Sequence, residues 1–558
     1  MPVITLHRER FNKFVRRQLS LEEMAKWLPW IGVDLEETGL DLVKIEFNPN
    51  RIDLCSYAGV ARAFKGLMGW ETGLPKYELK SGKTVLKIDK SVSSIRPYML
   101  AAVLHNIKLD EDTVAELMEI QEDLHWGIGR DRKKASIGVH NLDVVKSPFT
   151  FKAVSPDSVR FVPLDTTKEM SLKEILKQHE KGVAYHHLVD WAPKYPLLVD
   201  RENQVLSMPP IINGELTRVD NNTRNLFLDV TGTDYNAVAR SLNVLVTALA
   251  DMGATIEKVT VEYPDHVEES PNLTPQRMQL HVAYANELLG LHLSEAEAVK
   301  CLKKCRLDAK KAGKIVLEVE IPAYRIDVLH EIDLVEEIAI GYGYYRMKPT
   351  LPVTVTVGEE HRAGKLANIV RQIMIGLGFT EVMNFTLTNE DTHYVKMQKK
   401  QGKAARLANP VSIEYTILRE ELLPGLMQNL MDNRSESFPQ RLSEISDVIA
   451  VNMQMESRCE RRLHVAGVVS YANANFTELK SIVEALLTNL GLKKWQIRET
   501  KNPSYLEGRV ASIHFGKERA RAQIGVLGEI HPQALNNFEL ENPVAAFEID
   551  LEELGGKS

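Results

Sequence analysis

Residues 321–346 read IPAYRIDVLHEIDLVEEIAIGYGYYR. The alternating Ile315, Leu317, Val319 and Ile321 predict a strand over 314–322, closed by an Ile-Pro step. A sharp turn with Tyr324, Arg325 and Asp327 follows, then a helix from Glu331 to about Ile340, stopping at Gly341. Asp333, Glu336 and Glu337 stand at i, i+3 and i+4, which puts three carboxylates on one side of a single turn. Asp327 lies just upstream, in the turn that folds back towards them. Four close carboxylates repel one another unless a cation or a basic partner neutralises them. Ligands that are all oxygen suit a hard ion such as magnesium or calcium. A second reading fits the same spacing. Acidic residues near a helix N-terminus complement the macrodipole. Ile332, Leu334, Val335, Ile338 and Ala339 then form the buried side beneath a solvated acidic face.

This stretch resembles the beta subunit of phenylalanyl-tRNA synthetase. In that family a strand leads to a turn Asp, then an Asp-Leu-(Val/Ile)-Glu-Glu helix, then Gly-Tyr. Here the pieces are Arg325-Ile326-Asp327, Asp333-Leu334-Val335-Glu336-Glu337 and Gly341-Tyr342-Gly343-Tyr344. The resemblance implies magnesium ligands at Asp327, Asp333, Glu336 and Glu337.

A chain of 558 residues accommodates three or four domains. Its 44% hydrophobic and 26% charged content is that of an ordinary globular protein. The net charge of -7 argues against a chain that holds tRNA by itself, and places nucleic-acid contacts on a local patch or a partner. Four scattered cysteines, Cys55, Cys301, Cys305 and Cys459, form neither a disulfide framework nor a zinc site, and are expected as buried or free thiols. No signal peptide or bilayer-length apolar run is visible, so a cytoplasmic protein with no membrane partner is expected.

Residues 1–95 are expected to form an N-terminal α+β unit. Ser20 and Glu23 make a capping box, and Asp53 or Ser56 caps a second helix, with Val60, Phe64 and Leu67 inward. The stretch 48–70 is similar to the family's Asn-Arg-(Pro)-Asp-Leu-Ser segment, with Ile52 where bacterial members usually carry Pro. Residues 71–95 read as a polar connector. Residues 96–265 form a β-rich unit of short strands and Gly-, Pro- and Asn-bearing turns. In it Thr223–Asp229 reads as a strand and Thr231-Gly232-Thr233-Asp234 as a polar turn before a helix. The stretch 195–234, with PPIIN at 209–213 and VTGTD at 230–234, resembles the editing module of archaeal and eukaryotic-type beta subunits, which hydrolyses tRNA wrongly charged with tyrosine. By position in the matching stretch, Asn213, Thr231, Thr233 and Asp234 are candidate pocket residues. Turn chemistry explains the same residue types. The adjacent His186 and His187 are taken as surface or structural.

Residues 266–350 read as helix, helix, strand and helix, and resemble a winged-helix-like domain carrying the acidic helix. Ser294 with Glu297 caps one helix. Lys303, Lys304, Arg306, Lys310 and Lys311 form a basic patch that suits nucleic acid, but the favoured reading is a solvated helix end and loop. Residues 351–558 follow a linker marked by Pro349 and Pro352. A helix over 366–377, a GFTEVMNFTL strand, a helix opening at Pro424, an Asn475-capped helix and several strands resemble a class II synthetase module with helices on one side of an antiparallel sheet. Class II sites need arginines on the ATP phosphates. Gly528-Glu529 supplies none, and Arg419 and Arg441 are weak substitutes, so this copy is expected to be catalytically silent.

The expected fold class is therefore α+β multidomain: a mixed N-terminal unit, a β-rich editing-like domain, a winged-helix-like domain and an antiparallel class II module. The resemblance runs from about residue 48 to 550. It implies a phenylalanine–tRNA ligase beta subunit that works with tRNA(Phe) and an alpha subunit in an (αβ)₂ heterotetramer, with ATP and phenylalanine mainly on the alpha chain. The alternatives are a non-enzymatic tRNA-binding or scaffold protein on a retired synthetase fold, or a metal-dependent hydrolase centred on 327–337.

Overall fold

The computed structural model describes residues 2–313, 315–353, 356–516 and 522–554. Lys314, at the head of the strand expected over 314–322, and Arg521 lie outside the described residues. Chain contacts divide the protein into two units, Met1–Leu351 and Pro352–Ser558.

The first unit begins with a three-stranded antiparallel sheet, Val3–His7, Leu42–Phe47 and Val33–Thr38, with the second of these central. Ser20 and Glu23 form the expected capping box on helix Leu21–Trp27. Ser56, not Asp53, caps helix Tyr57–Leu67, its Oγ accepting from Gly59 N at 3.0 Å. Asp53 is instead held by Arg51. The supposed connector 71–95 contains Leu79–Lys80 and Val85–Ile88, and both pair with Thr255–Glu262. They belong to an eleven-stranded sheet whose other strands lie between Tyr98 and Ser270. One apolar core runs from Ile4 to Val261 and takes in Tyr324, so its hydrophobic contacts cross the expected boundary at residue 95.

In the sheet, Leu226–Gly232 lies between Tyr98–His105 and Ala135–Asn141, antiparallel to both. This strand runs three residues beyond the expected Asp229 end. Thr231 and Gly232 are therefore ladder residues rather than turn residues. Asp234 is the N-cap of helix Tyr235–Asp251, accepting from Ala237 N at 3.1 Å.

The segment 276–342 has its own core, built from Leu280, Leu302, Leu317, Val319, Leu334 and Ile338 among others. Its strands order as Gln276–His281, Val316–Ile321, Asp308–Lys311, and helices Val282–Leu289, Glu295–Lys304 and Glu331–Tyr342 pack on them. The Ser294–Glu297 box forms as expected. Lys303, Lys310 and Lys311 pair with Asp308, Glu318 and Glu295 respectively.

The acidic helix passes through Gly341 and ends at Gly343, whose φ of 101° suits a residue without Cβ. Gly341 has a different task. A Cβ there would stand 2.1 Å from the carbonyl oxygen of Cys301, so its absence lets helix Glu295–Lys304 approach the acidic helix closely. The helix therefore does not stop at the first Gly.

The second unit is a seven-stranded sheet in the order Thr380–Glu381, Gln440–Val451, Cys459–Ser470, Val544–Asp550, Ala522–Ile530, Tyr505–Phe515, Trp495–Glu499. All neighbours are antiparallel except the first pair. GFTEVMNFTL yields only the short strands Thr380–Glu381 and Leu387–Thr388. Helices lie on both faces, not one. Arg362–Gly376 and the Asn475-capped Phe476–Asn489 cover Val465, Phe547 and Ile549. Leu423–Asp432 and Pro532–Asn537 cover Val468, Val544 and Ala546. The alternation along Val544–Asp550 explains this, because apolar residues occur at both parities.

Gly341→Ala sets a helix-propensity gain of about 1 kcal/mol against an overpacking cost of roughly 1–3 kcal/mol. The variant is expected to be net destabilised, read as a lower urea midpoint. A midpoint equal to or above that of the parent would refute the close approach at Cys301.

Candidate functional site

Two places in the first unit gather polar side chains under burial. One is the acidic helix. Arg325, 4% exposed, donates from Nε and Nη2 to Asp327 at 2.8 and 2.6 Å, and from Nη2 and Nη1 to Glu337 at 2.5 and 3.2 Å. Burial alone would lower its pKa, but Glu337 and Asp327 outweigh that and raise it. Arg51 grips Asp53 at 2.9 and 3.1 Å and stands 4.0 Å from Asp327. Arg62 lies 3.7 Å above the Tyr324 ring and donates to Asp251 at 2.6 Å. A cavity of about 20 Å³ remains among these groups.

Asp333 is used differently. Its Oδ2 accepts from Leu329 N and His330 N, both at 2.8 Å, closing the helix N-terminus. Glu336 faces solvent. The four expected magnesium ligands thus lie on one stretch but do not converge. Among the described residues, no three His, Cys, Asp or Glu side chains are placed to hold a metal ion. The physical reason is Arg325. It supplies the neutralising charge to Asp327 and Glu337 that a cation was expected to supply. The set of this chain alone does not fit a closed oxygen cage.

The other place is a cleft of about 660 Å³ over the strands Ala135–Asn141 and Leu226–Gly232. Its floor is opened by Gly138, which faces Asp229 across the ladder. A Cβ on Gly138 would stand 2.3 Å from Asp229 Oδ1 and 2.7 Å from His140 Nε2. The bare position lets those two side chains meet at 2.8 Å, and His140 Nδ1 meets Thr217 Oγ1 at 2.8 Å. Asn213 also lines the cleft, paired in register with Ser207, whose buried Oγ has no partner among the described residues. One wall is helix Glu111–Trp126. There His125 Nε2 accepts from Ile137 N at 2.9 Å, and burial pushes the ring pKa down. Its neighbour Glu122 is held at about 2 by His125 and Arg132.

Of the four residues expected here, only Asn213 lines the cleft. Thr231 is fully buried, bonded to Arg96 and Ser136. Thr233 bonds Lys133 O from an exposed turn, and Asp234 caps its helix beside Lys134. All three are spent on structure. His186 pairs with Asp190 on the surface, as expected of a structural histidine.

In the second unit the two arginines expected to be weak phosphate ligands are engaged internally. Arg419 donates to Glu444 at 2.7 Å, with both side chains buried, and to Asp447 O. Arg441 donates to Glu478 at 2.7 Å. On the face beneath helix Leu423–Asp432, Glu548 accepts from Leu422 N and Leu423 N and meets His464 at 2.7 Å. Burial opposes a charge on His464, but Asp550 and Glu548 prevail and raise it to about 9. A separate cleft of about 880 Å³ is bordered by Phe385, Tyr415, Arg419 and Glu421.

Arg325→Met leaves Asp327 and Glu337 buried without their counter-charge, a defect worth roughly 3–5 kcal/mol. The expected outcome is a large drop in thermal stability, partly recovered by adding Glu337→Leu. A loss under about 1 kcal/mol would show that water already screens the cluster.

The tRNA synthetase B5 domain family matches residues 278–344, and the phenylalanyl tRNA synthetase beta chain CLM domain family matches residues 347–551. The phenylalanine–tRNA ligase beta subunit of Archaeoglobus fulgidus is 42% identical over 555 residues, covering 99% of this chain and 98% of its own. That of Methanosarcina barkeri is 43% identical over 560 residues, with both chains fully covered. A crystal structure of an N-terminal fragment of the Pyrococcus horikoshii phenylalanyl-tRNA synthetase beta subunit is 37% identical. It aligns with a TM-score of 0.59 over 61% of this chain and 99% of the fragment. No helix among the described residues is long and apolar enough to cross a membrane. With both domain families in place and relatives matched end to end, the chain belongs to the beta subunits of phenylalanine–tRNA ligase, an aminoacyl-tRNA synthetase.

Proposed function

We propose that this chain supports charging of tRNA(Phe) by an alpha subunit and proofreads the product, hydrolysing tyrosyl-tRNA(Phe) in the cleft over Gly138. The observation that carries the proofreading part is the cleft itself. Its volume suits one aromatic aminoacyl end. Its polar floor, Asn213, Ser207, Thr217 and Asp229, suits the one hydroxyl by which tyrosine exceeds phenylalanine. A site that hydrogen-bonds a hydroxyl discriminates far better than an apolar pocket does. The reaction adds water across the ester bond and releases tyrosine and uncharged tRNA.

In this reading ATP and phenylalanine are bound by the alpha chain, in an (αβ)₂ heterotetramer. The engagement of Arg419 with Glu444 and of Arg441 with Glu478 supports catalytic silence here, since each guanidinium already has a carboxylate for its charge. An exposed apolar surface of the second unit, with Met383 89%, Phe385 75% and Ile413 88% exposed, supports an obligate protein contact. Magnesium would be held on this surface by the acidic helix and would neutralise the charge that Arg325 leaves unanswered. Asp333 and the exposed Glu336, with Asp327 and Glu337 behind them, leave net negative charge on that surface after Arg325 is counted, and a docked partner completes the ligand set.

The test is co-expression with an alpha subunit. The complex should charge tRNA(Phe) with phenylalanine and release tyrosine from tyrosyl-tRNA(Phe). Asn213→Ala should slow release roughly tenfold while charging persists. A complex that charges but never clears tyrosine removes proofreading; one that does neither returns the chain to a scaffold role. Glu336→Gln should lower the magnesium retained by the purified complex, and unchanged metal content removes the ion from this reading.

A further inference from the structure

Arg130, Asp131 and Arg132 are left-handed at three successive positions, with φ of 49°, 51° and 65°. Such a run of residues bearing Cβ is costly and persists only where surroundings enforce it. Arg96 enforces it. Its buried guanidinium donates to Arg132 O at 3.1 Å and Lys133 O at 3.3 Å, and is itself seated on Thr231 O at 2.6 Å and Ser136 Oγ at 3.2 Å.

The turn delivers the Arg132 side chain, 7% exposed, to the wall of the cleft. The guanidinium lies 4.4 Å above the Tyr185 ring. Nη1 donates to Ile211 O at 3.0 Å and reaches Pro210 O at 3.4 Å; Nη2 donates to Glu122 at 2.8 Å. Nε is buried and has no partner among the described residues. Nε–H and Nη2–H point along one edge of the guanidinium, the edge that takes two oxygens of an oxyanion at once. That edge is half used, by a carboxylate whose side chain is 55% exposed. Glu122 has His125 Nδ1 at 3.7 Å as an alternative neighbour when it yields the edge.

We infer that Arg132 is a substrate-binding residue that takes a phosphate near the 3′ end of the nucleic acid entering the cleft, and that Arg96 is the positioning residue that sets it there. The inference rests on the proofreading reading. An aminoacyl ester has no carboxylate, so a backbone phosphate is the anion this substrate offers.

The experiment compares the αβ complex and its Arg132→Gln and Arg132→Lys variants on two substrates, tyrosyl-tRNA(Phe) and 3′-O-tyrosyladenosine, which has no phosphate. Arg132→Gln should raise KM for tyrosyl-tRNA roughly tenfold with kcat nearly kept, and Arg132→Lys should restore part of the loss. Hydrolysis of tyrosyladenosine should be the same in all three. Arg96→Met should match Arg132→Gln on the tRNA substrate. Equal loss on both substrates assigns Arg132 to structure and overturns the inference, as does no loss on either. A parent complex that hydrolyses neither substrate overturns the proofreading reading, and this inference with it.

Discussion

A single guanidinium, Arg325, holds together the charges on which the first unit depends. It reaches both Asp327 and Glu337 from a position closed to solvent. Three carboxylates, Asp53, Asp327 and Glu337, and two guanidiniums, Arg51 and Arg325, lie within one connected set of contacts. Ions out of water are tolerable only when each finds its opposite at short range. The set therefore ties segment 48–56 to segment 321–337, although they are far apart in sequence. A carboxylate cluster that looks like a cation site in one dimension is half neutralised from within, and its remaining charge is what faces outward at Glu336.

Much of the local structure was legible because it rests on neighbours in sequence. The boxes at Ser20–Glu23 and Ser294–Glu297 and the Asn475 cap each join residues three apart, and each forms. The structure departs from the local signals where distant chain segments decide. Gly341 reads as a helix stop, but Cys301 O approaches it and the helix continues. Thr231 and Gly232 read as turn, but two flanking strands extend the ladder through them. Val85–Ile88 sits in a polar stretch, yet finds partners at Thr255–Glu262 and Phe149–Val154. Helices on both faces of the second sheet follow from Val544 and Ala546, whose side matters only once the strand order is known.

The candidate cleft shows the same limit more sharply. Asn213 was reachable, because it sits in a stretch with a recognisable pattern. Gly138, His140, Thr217 and Asp229 were not, since no two of them adjoin in sequence and their meeting depends on ladder register. One signal was present. SIGVHN places a Gly between a Ser and a His at strand spacing, and Gly inside a strand marks close approach by another group. Here that group is the Asp229 carboxylate.

Three of the buried arginines, Arg325, Arg419 and Arg96, differ in what they face, and the difference bears on the cleft. Arg325 has two carboxylates and Arg419 has one, so their charges are answered inside the fold. Arg96 makes its hydrogen bonds to neutral oxygens, those of Thr231, Ser136, Arg132 and Lys133. Burial drives its pKa down to about 9, with only the more distant charge of Asp229 opposing. It still carries its proton near neutrality, so its positive charge is felt by its surroundings. Arg132 lies directly on the turn that Arg96 holds, its own charge met by the half-exposed Glu122. Arg96 and Arg132 together outnumber the one partly exposed anion, Glu122, that meets Arg132, while Asp165, Glu180 and Asp229 line other parts of the cleft. In a chain of net charge -7 such a local excess at one wall is not a general property of the surface. In the proofreading reading, Arg132 is therefore the place on that wall where a phosphate of the entering nucleic acid finds a buried cation whose one carboxylate partner among the described residues is half exposed.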